Sequence, residues 1–213
     1  LNGYDDIDYL LSRKADIEAY ESRAARGRYI EIMDTTLRDG AQTSGVSCSN
    51  RARLSIVQSL LSEPNVDRAG LAPAMVSDRE QDCVKGIADW AQRNGLLSRV
   101  EVLGFVDQNR SADWIMEAGC HVMNLLCKGS LKHVTAQLGK TASQHISDIQ
   151  STVEYAVSRG MEVNVYLEDW SNGMKNSPDY VFQLMDGLQG CGIRRFMLPD
   201  TLGVLNPMQV QEF

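Results

Sequence analysis

A dense group of polar residues follows an apolar segment near the start of the chain. Directly after Tyr29–Met33 comes Asp34-Thr35-Thr36-Leu37-Arg38-Asp39-Gly40-Ala41-Gln42. Arg38 provides a permanent cation with a planar fork of donors, and Asp39 provides a hard oxygen ligand for a divalent cation. On their own these residues fit a salt-bridged loop as well as a functional site.

Polar residues recur at the ends of later apolar segments, namely Asn124, Glu168 and Thr201. If the segments are parallel strands of a barrel, their carboxyl ends share one rim, and these side chains converge with Asp39 there. Simpler interpretations stay open for each. Glu168 fits a strand-end charge paired with a neighbouring Lys or Arg, Thr201 fits a turn cap, and Asn124 or Gln42 fits an amide that ties two loops together.

Short β-branched or aliphatic segments alternate with longer amphipathic segments along the chain. This alternation predicts an α/β fold with parallel strands and right-handed crossovers. The predicted strands are Tyr29–Met33, Val66–Leu71, Arg99–Leu103, His121–Leu126, Glu162–Leu167 and Arg194–Leu198. The predicted helices are Asn50–Ser62, Asp78–Asn94, Ser111–Ala118, Ser143–Ser158 and Pro178–Leu188.

An open doubly wound sheet and a TIM-type (β/α) barrel both fit this alternation. The barrel is favoured because no G-x-G-x-x-G follows the first strand and because polar residues gather at the strand ends. A complete barrel needs eight units and about 250 residues. The sequence therefore predicts residues 1–28 as an N-terminal helical extension and residues 29–213 as a partial barrel of about six units. Pro207–Phe213 is predicted to begin the sixth helix, and the sheet is predicted to end in apolar edges.

Composition narrows the classes of function. The formal net charge of -7 and the lack of a basic cluster argue against a nucleic-acid partner. No apolar run reaches the ~20 residues that span a bilayer, so no membrane residence is expected. The five cysteines show no metal-binding or redox spacing and are predicted to be buried free thiols in a reducing cytoplasm.

The first polar loop resembles the first-strand signature of the DRE-TIM metallolyase (HMGL-like) superfamily. The similarity continues through Asn124–Ser130, Tyr166–Asp169 and Leu198–Gly203, so it extends from Tyr29 to about Pro207. This superfamily includes 2-isopropylmalate, homocitrate and citramalate synthases and 3-hydroxy-3-methylglutaryl-CoA lyase, and the chain is most similar to the synthase branch.

The resemblance implies a role for each matching residue. Asp39 would bind a divalent metal (Mg, Mn or Zn) that polarises the carbonyl of a 2-oxoacid, and Arg38 would stabilise the enolate or alkoxide oxygen. Glu168 would accept or donate the proton that is transferred in the reaction. Three further residues would bind substrate: Gln42, Asn124 and Thr201.

The chain also departs from the family pattern. Relatives commonly carry a Glu near Gly70, and Ala41 replaces the Glu most common in synthases. The family's His-x-His metal ligands are absent, since His121, His133 and His145 are too widely spaced to form that pair. The resemblance therefore predicts that this chain alone is inactive, and the three histidines are predicted to be packing or helix-surface residues.

Three functions compete at this point. The first is a cytoplasmic, homodimeric acyltransferase that condenses acetyl-CoA with a 2-oxoacid. The second is a lyase or aldolase that cleaves the corresponding C–C bond. The third is a non-catalytic paralogue that retains the barrel for assembly or regulation, motivated by Gly70 and Ala41.

Overall fold

The computed structural model describes residues 30–62, 66–73 and 77–213. In this part of the chain six parallel strands form one curled sheet, and each strand pairs with its neighbours in sequence. The strands are β1 (Met33–Asp34), β2 (Arg68–Leu71), β3 (Val100–Phe105), β4 (Val122–Lys128), β5 (Glu162–Glu168) and β6 (Ile193–Met197). The predicted partial (β/α) barrel is thereby confirmed. The predicted N-terminal helix and the boundary at residue 28 lie outside the described residues and stay predictions.

Helices follow the strands, and several begin at a polar cap. They are α1 (Asn50–Ser62), α2 (Asp78–Arg93), α3 (Arg110–Glu117), α4 (Leu131–Ala136), α5 (Ala142–Ser158), α6 (Trp170–Asn176), α7 (Pro178–Gly187) and α8 (Pro207–Glu212). Thr141 and Asn206 each form a reciprocal capping box, in which the side chain and the residue three positions later satisfy each other's backbone donors. Local sequence therefore fixes where α5 and α8 begin.

The helix-facing side of the central strands forms the main hydrophobic core. Fully buried residues of β3, β4 and β5 pack there against aliphatic side chains of the helices, including Ile87, Ile115, Ile149 and Leu184. Because helices cover this face and the curled sheet encloses the other, the central strands are apolar over most of their length. The packed strands give the residues at their carboxyl ends a rigid support.

The opposite face of the sheet carries a buried polar layer midway along the strands. Glu101, which is 1% exposed, accepts hydrogen bonds from Arg68 at 2.9 Å and from Asn164 at 3.2 Å, and Arg195 lies 3.4 Å away. Asn164 also donates to Asn124 Oδ1 at 2.9 Å. A buried carboxylate needs such partners, because an unpaired charge in the interior is costly.

Two parts of the predicted element list are corrected by the structure. Among the described residues the first strand is Met33–Asp34, where Tyr29–Met33 was predicted; it pairs with β2, and residues 30–32 have no regular secondary structure. Helices α4 and α6 were not predicted, because six or seven residues are too few to display a helical period. The remaining predicted elements agree with the observed ones to within two residues at each end, and Asn50–Ser62 matches at both ends.

Apolar side chains are exposed on the β6 side of the sheet. The largest exposures there belong to Leu202, Val210 and Met208.

Among the described helices, none is both long and apolar enough to span a membrane. All five cysteines are free; Cys83, Cys120 and Cys127 are buried, whereas Cys48 and Cys191 are partly exposed, so the prediction of buried thiols is correct for three of them.

Candidate active site

The loop after β1 is a tight turn that presents Arg38 and Asp39 together. The Thr35 carbonyl accepts hydrogen bonds from the backbone N–H groups of Arg38, Asp39 and Gly40 at 3.0, 2.9 and 3.3 Å. Leu37, which is 4% exposed, anchors the turn in the core. With its one apolar side chain buried, the turn places Arg38 and Asp39, the two residues that follow Leu37, at the end of the strand.

Arg38 is held between Asp39 and an aromatic ring. Its Nη2 donates to Asp39 Oδ2 at 2.9 Å, and its guanidinium carbon lies 4.9 Å from the centroid of the Tyr166 ring. Burial by itself would lower the pKa of Arg38, but the Asp39 bond and the nearby Tyr166 raise it overall, so the guanidinium is permanently charged. Nη1 is buried without a hydrogen-bond partner in the described structure. Arg38 thus keeps an unused donor.

Gly70 lies on the same face of the sheet as this arginine. A Cβ at Gly70 would lie in ordinary contact, 3.5 Å from the Asp34 carbonyl oxygen and 3.6 Å from Thr35 Cγ2. The backbone there leaves room for a side chain, but the glycine provides no carboxylate. Arg38 is instead oriented by Asp39 and Tyr166, so the absence of a Glu at this position does not leave the arginine unsupported.

Glu168 ends β5 and forms an ion pair with Lys128, the residue opposite it on β4. The side chains are 28% and 19% exposed respectively, so the pair lies at the rim and not in bulk solvent. The pairing with a neighbouring lysine anticipated from the sequence is therefore present. It does not exclude a functional role, because Glu168 also lines two cavities.

Thr201 is held at the rim by the turn that follows β5. Asp169 adopts a left-handed backbone conformation, with φ of 66°, and its N–H donates to Thr201 Oγ1 at 3.0 Å. A hydroxyl carries one donor and two acceptor sites. Because the Asp169 N–H occupies one acceptor site of the Thr201 hydroxyl, the proton of that hydroxyl can form a hydrogen bond with another group. Asp200, whose pKa is lowered by hydrogen bonds from Ser171 and from Leu205 N–H, anchors the loop that carries Thr201.

Two cavities open at the carboxyl ends of the strands. The first, called here the Arg38 cavity, has a volume of about 470 Å³ and contains most of the predicted site residues: Arg38, Asp39, Gln42, Glu168 and Thr201. Its remaining wall is Tyr166 with the apolar residues Leu103, Phe105, Leu126 and Pro199. The predicted convergence of Asp39, Glu168 and Thr201 on one mouth is therefore observed.

The second, called here the His133 cavity, has a volume of about 740 Å³ and lies over α4, α6 and the start of α7. Asp169 organises its floor: Oδ2 accepts from Ser130 Oγ at 2.7 Å and lies 3.4 Å from His133 Nε2, and Oδ1 accepts from Asn172 at 2.7 Å. Burial opposes ionisation of Asp169, but the hydrogen bonds from Ser130 and Asn172 lower its pKa. Glu168 and Thr201 line both cavities, so the two meet at these residues.

Asn124 is the one predicted site residue that does not line either cavity. It is fully buried in the middle of β4 and accepts a hydrogen bond from Asn164 in the polar layer. The expectation that it shares the mouth is wrong because it lies two positions before Leu126 on the same face, one layer deeper in the sheet. Conversely, Leu126 and Tyr166 line the Arg38 cavity and were not identified from the sequence; their two-residue spacing from Lys128 and Glu168 is the signal that would have revealed them.

The described residues show which side chains could bind the predicted divalent metal. Asp39 is 60% exposed and its carboxylate is engaged by Arg38. No group of three His, Cys, Asp or Glu side chains in the described ranges is arranged to hold a metal ion. These residues do not make up a metal shell by themselves, and Asp39 would contribute at most one ligand.

Comparison with known proteins now decides the family. The HMGL-like family model matches residues 29–213, which include all six strands and both cavities. The chain belongs to the HMGL-like family.

Several proteins of similar sequence are named as synthases. The chain is 30% identical over 182 residues to a probable 2-isopropylmalate synthase from Ignicoccus hospitalis, covering 85% of this chain and 43% of that protein. It is 31% identical over 183 residues to (R)-citramalate synthase from Methanocaldococcus jannaschii, covering 86% of this chain and 35% of that protein. The chain therefore spans less than half the length of either HMGL-like relative.

Among solved structures, an HMG-CoA lyase from Bacillus subtilis has the same fold. The TM-score is 0.70 at 20% sequence identity, and the match covers 86% of this chain and 62% of the lyase. At this identity the likeness concerns the fold alone. It supports the arrangement of the six strands as part of a TIM-type (β/α) barrel.

Proposed function

We propose that the complete protein is an acyltransferase that condenses acetyl-CoA with a 2-oxoacid. The observation that carries this proposal is the junction of two cavities at Glu168 and Thr201, with Arg38 lining one of the two. A two-substrate condensation needs two binding spaces that share one reacting centre. The synthases to which the chain is similar are the second support.

The Arg38 cavity suits the 2-oxoacid. Arg38, which lines this cavity, presents a permanent cation to an anionic oxygen, and Thr201 can donate its hydroxyl proton to the substrate carboxylate. The wall formed by Leu103, Phe105 and Leu126 favours an aliphatic side chain over a second carboxylate, because a charged group there would be desolvated without a partner. We therefore favour short or branched aliphatic 2-oxoacids.

The His133 cavity suits the acyl-CoA arm, since it is the larger of the two and opens onto polar side chains of α4, α6 and α7. Glu168 then lies between the acetyl methyl group and the 2-oxo carbon. As a carboxylate it can accept a methyl proton, and the resulting carbanion can attack the carbonyl in the Arg38 cavity. Arg38 stabilises the alkoxide that forms, and hydrolysis of the thioester by water releases CoA.

A divalent metal, when bound, would supply Lewis-acid polarisation of the 2-oxo carbonyl. Asp39 is the described residue placed to contribute a ligand. The metal, a homodimeric assembly and a cytoplasmic location all stay predictions for the complete protein.

Cleavage of a C–C bond by the same residues in reverse is the second candidate. A lyase uses the same cavities and the same proton acceptor, and the fold of HMG-CoA lyase accommodates this chain. We favour condensation because the relatives at 30 to 31% identity are synthases.

The test is CoA release from acetyl-CoA with a panel of 2-oxoacids, together with the cleavage assay on 3-hydroxy-3-methylglutaryl-CoA. The complete protein should release CoA with an aliphatic 2-oxoacid, and Arg38→Lys should lower kcat by about 100-fold, the typical effect of losing one preorganised oxyanion donor. Arg159→Lys is the matched control, because Arg159 also lies over a tyrosine ring, that of Tyr155, at 5.7 Å but lines neither cavity. Cleavage without condensation would favour the lyase, and neither activity would favour the non-catalytic paralogue.

A further inference from the structure

Lys128 is placed on the face of β4 that leads into the active-site mouth. Side chains two residues apart on a strand point to the same face, so Lys128 follows Leu126, which lines the Arg38 cavity. In the register of the sheet Lys128 is directly opposite Glu168, and the two form an ion pair. Its ammonium group therefore lies beside the carboxylate at which the two cavities meet.

The main chain of Lys128 is fixed by buried side chains on both sides. Its N–H donates to His145 Nε2 at 3.1 Å, and its carbonyl accepts from the Tyr180 hydroxyl at 2.7 Å. His145 is 2% exposed, and burial, with a smaller contribution from Lys140, lowers its pKa to about 4, which keeps the ring neutral and able to accept. A solvated surface lysine has no need of such support.

The backbone of Gly129, the residue after Lys128, is held as closely as that of Lys128. Gly129 N–H donates to the Glu168 carbonyl at 2.6 Å, and a Cβ at Gly129 would come within 2.6 Å of the Leu167 carbonyl oxygen. A Cβ at Gly173, on α6, would in turn overlap the Gly129 carbonyl. Only glycines permit this approach of α6 to the two strand ends, and the approach locks Lys128 and Glu168 side by side.

We propose that Lys128 is a catalytic residue that stabilises the thioester enolate of acetyl-CoA; this inference rests on the condensation proposed above. Before reaction, Lys128 neutralises and orients Glu168. When Glu168 takes a methyl proton, the C–H bond breaks, the carboxylate becomes a neutral acid, and the bonding electron pair moves onto the thioester oxygen. The Lys128 ammonium, which has then lost its anionic partner, donates a hydrogen bond to that oxygen.

Lys128 and Arg38 act on different oxygen atoms because they lie at different places in the site. Lys128 lines neither cavity itself, but its ammonium group pairs with Glu168 where the two cavities meet, and from there it acts on the enolate oxygen of the acyl-CoA. Arg38 stands in the Arg38 cavity and acts on the alkoxide oxygen of the 2-oxoacid, which forms when the enolate carbon adds to the carbonyl. Each cation therefore meets negative charge at a different stage, and both effects appear mainly in the transition states.

The experiment compares Lys128→Met, Lys128→Arg and Lys128→Gln in the complete protein, measuring CoA release and calorimetric affinity for the 2-oxoacid. Loss of the cation should lower kcat by about 100-fold in the Met and Gln variants, while Arg, which retains the charge, should remain well above both. Affinity for the 2-oxoacid should stay near that of the parent. Lys140→Met is the matched control, because Lys140 pairs with Asp148 at 2.7 Å on the surface and should leave kcat unchanged.

A double-variant cycle separates catalysis from simple support of Glu168. If Lys128 itself donates to the enolate oxygen, Lys128→Met should lower the residual rate of Glu168→Gln further, whereas a lysine that only supports Glu168 should add nothing to that loss. A Lys128→Met enzyme as active as its parent, a Gln variant equal to the Arg variant, or a double variant no slower than Glu168→Gln alone would overturn the role of Lys128 while leaving the condensation intact. A parent that releases no CoA with any 2-oxoacid would overturn the proposed function and this inference with it.

Discussion

The neutral His145 beneath the Lys128 backbone should make stability depend on pH in a defined window. In the unfolded chain a histidine has its ordinary pKa of 6.5, whereas in the fold burial lowers the pKa to about 4. Between these values the unfolded state binds a proton that the folded state does not bind. The free energy of unfolding should therefore fall as the pH drops from 6.5 towards 4. Above pH 6.5 this loss of stability should be absent.

The magnitude follows from the size of the shift. One pKa unit corresponds to about 1.4 kcal/mol, so a shift from 6.5 to about 4 amounts to about 3 kcal/mol. The charged groups that act on the ring are Lys140 and Lys128, which lower its pKa further, and Asp148, which raises it. Burial is the largest effect, so salt should change the result little.

The assay is urea denaturation from pH 4 to pH 8 for the parent and for His145→Gln. Glutamine can still accept from the Lys128 N–H but does not titrate. The difference in unfolding free energy between the two proteins should change by about 3 kcal/mol across this range, with the parent losing more stability in acid. The low pKa values of Asp169 and Asp200 affect both proteins equally and cancel in the difference. Parallel stability curves for the two proteins between pH 6.5 and 4 would refute the reasoning.

Three further outcomes are expected. Gly129→Ala should destabilise the fold by about 1–3 kcal/mol in thermal or urea unfolding, because the added methyl meets a strand carbonyl, whereas Gly86→Ala, in a helix with open space around it, should be stabilising by about 0.5–1 kcal/mol. Thr201→Val should weaken 2-oxoacid binding by about 10- to 100-fold in calorimetry, since a hydrogen bond to a charged group is lost; equal affinities would remove Thr201 from the substrate site. The chain should self-associate at high concentration in sedimentation experiments, and Leu202→Glu with Met208→Glu should shift it towards monomer, because these side chains are 68% and 79% exposed; a parent that stays monomeric throughout contradicts this.

Much of the fold was determined by local sequence. The alternation of apolar and amphipathic segments predicted the parallel sheet, since each period reports which face of an element is buried. Capping residues such as Thr141 fixed helix starts to within a residue or two. The clustering of Arg38, Asp39, Glu168 and Thr201 also followed, because carboxyl ends of neighbouring parallel strands must share one rim.

Strand register and layer depth were decided only by the tertiary structure. The sequence placed Asn124 at the mouth, but its depth depends on how β4 is aligned with β3 and β5, and that alignment puts it in the buried layer. The same register brings Lys128 opposite Glu168, forty positions later in the chain. His145, predicted to be a packing or surface residue, gained its role as an acceptor because the first turn of α5 meets the carboxyl end of β4, where the ring accepts from the Lys128 N–H. Pairings of this kind depend on contacts distant in sequence, so no local period or motif encodes them.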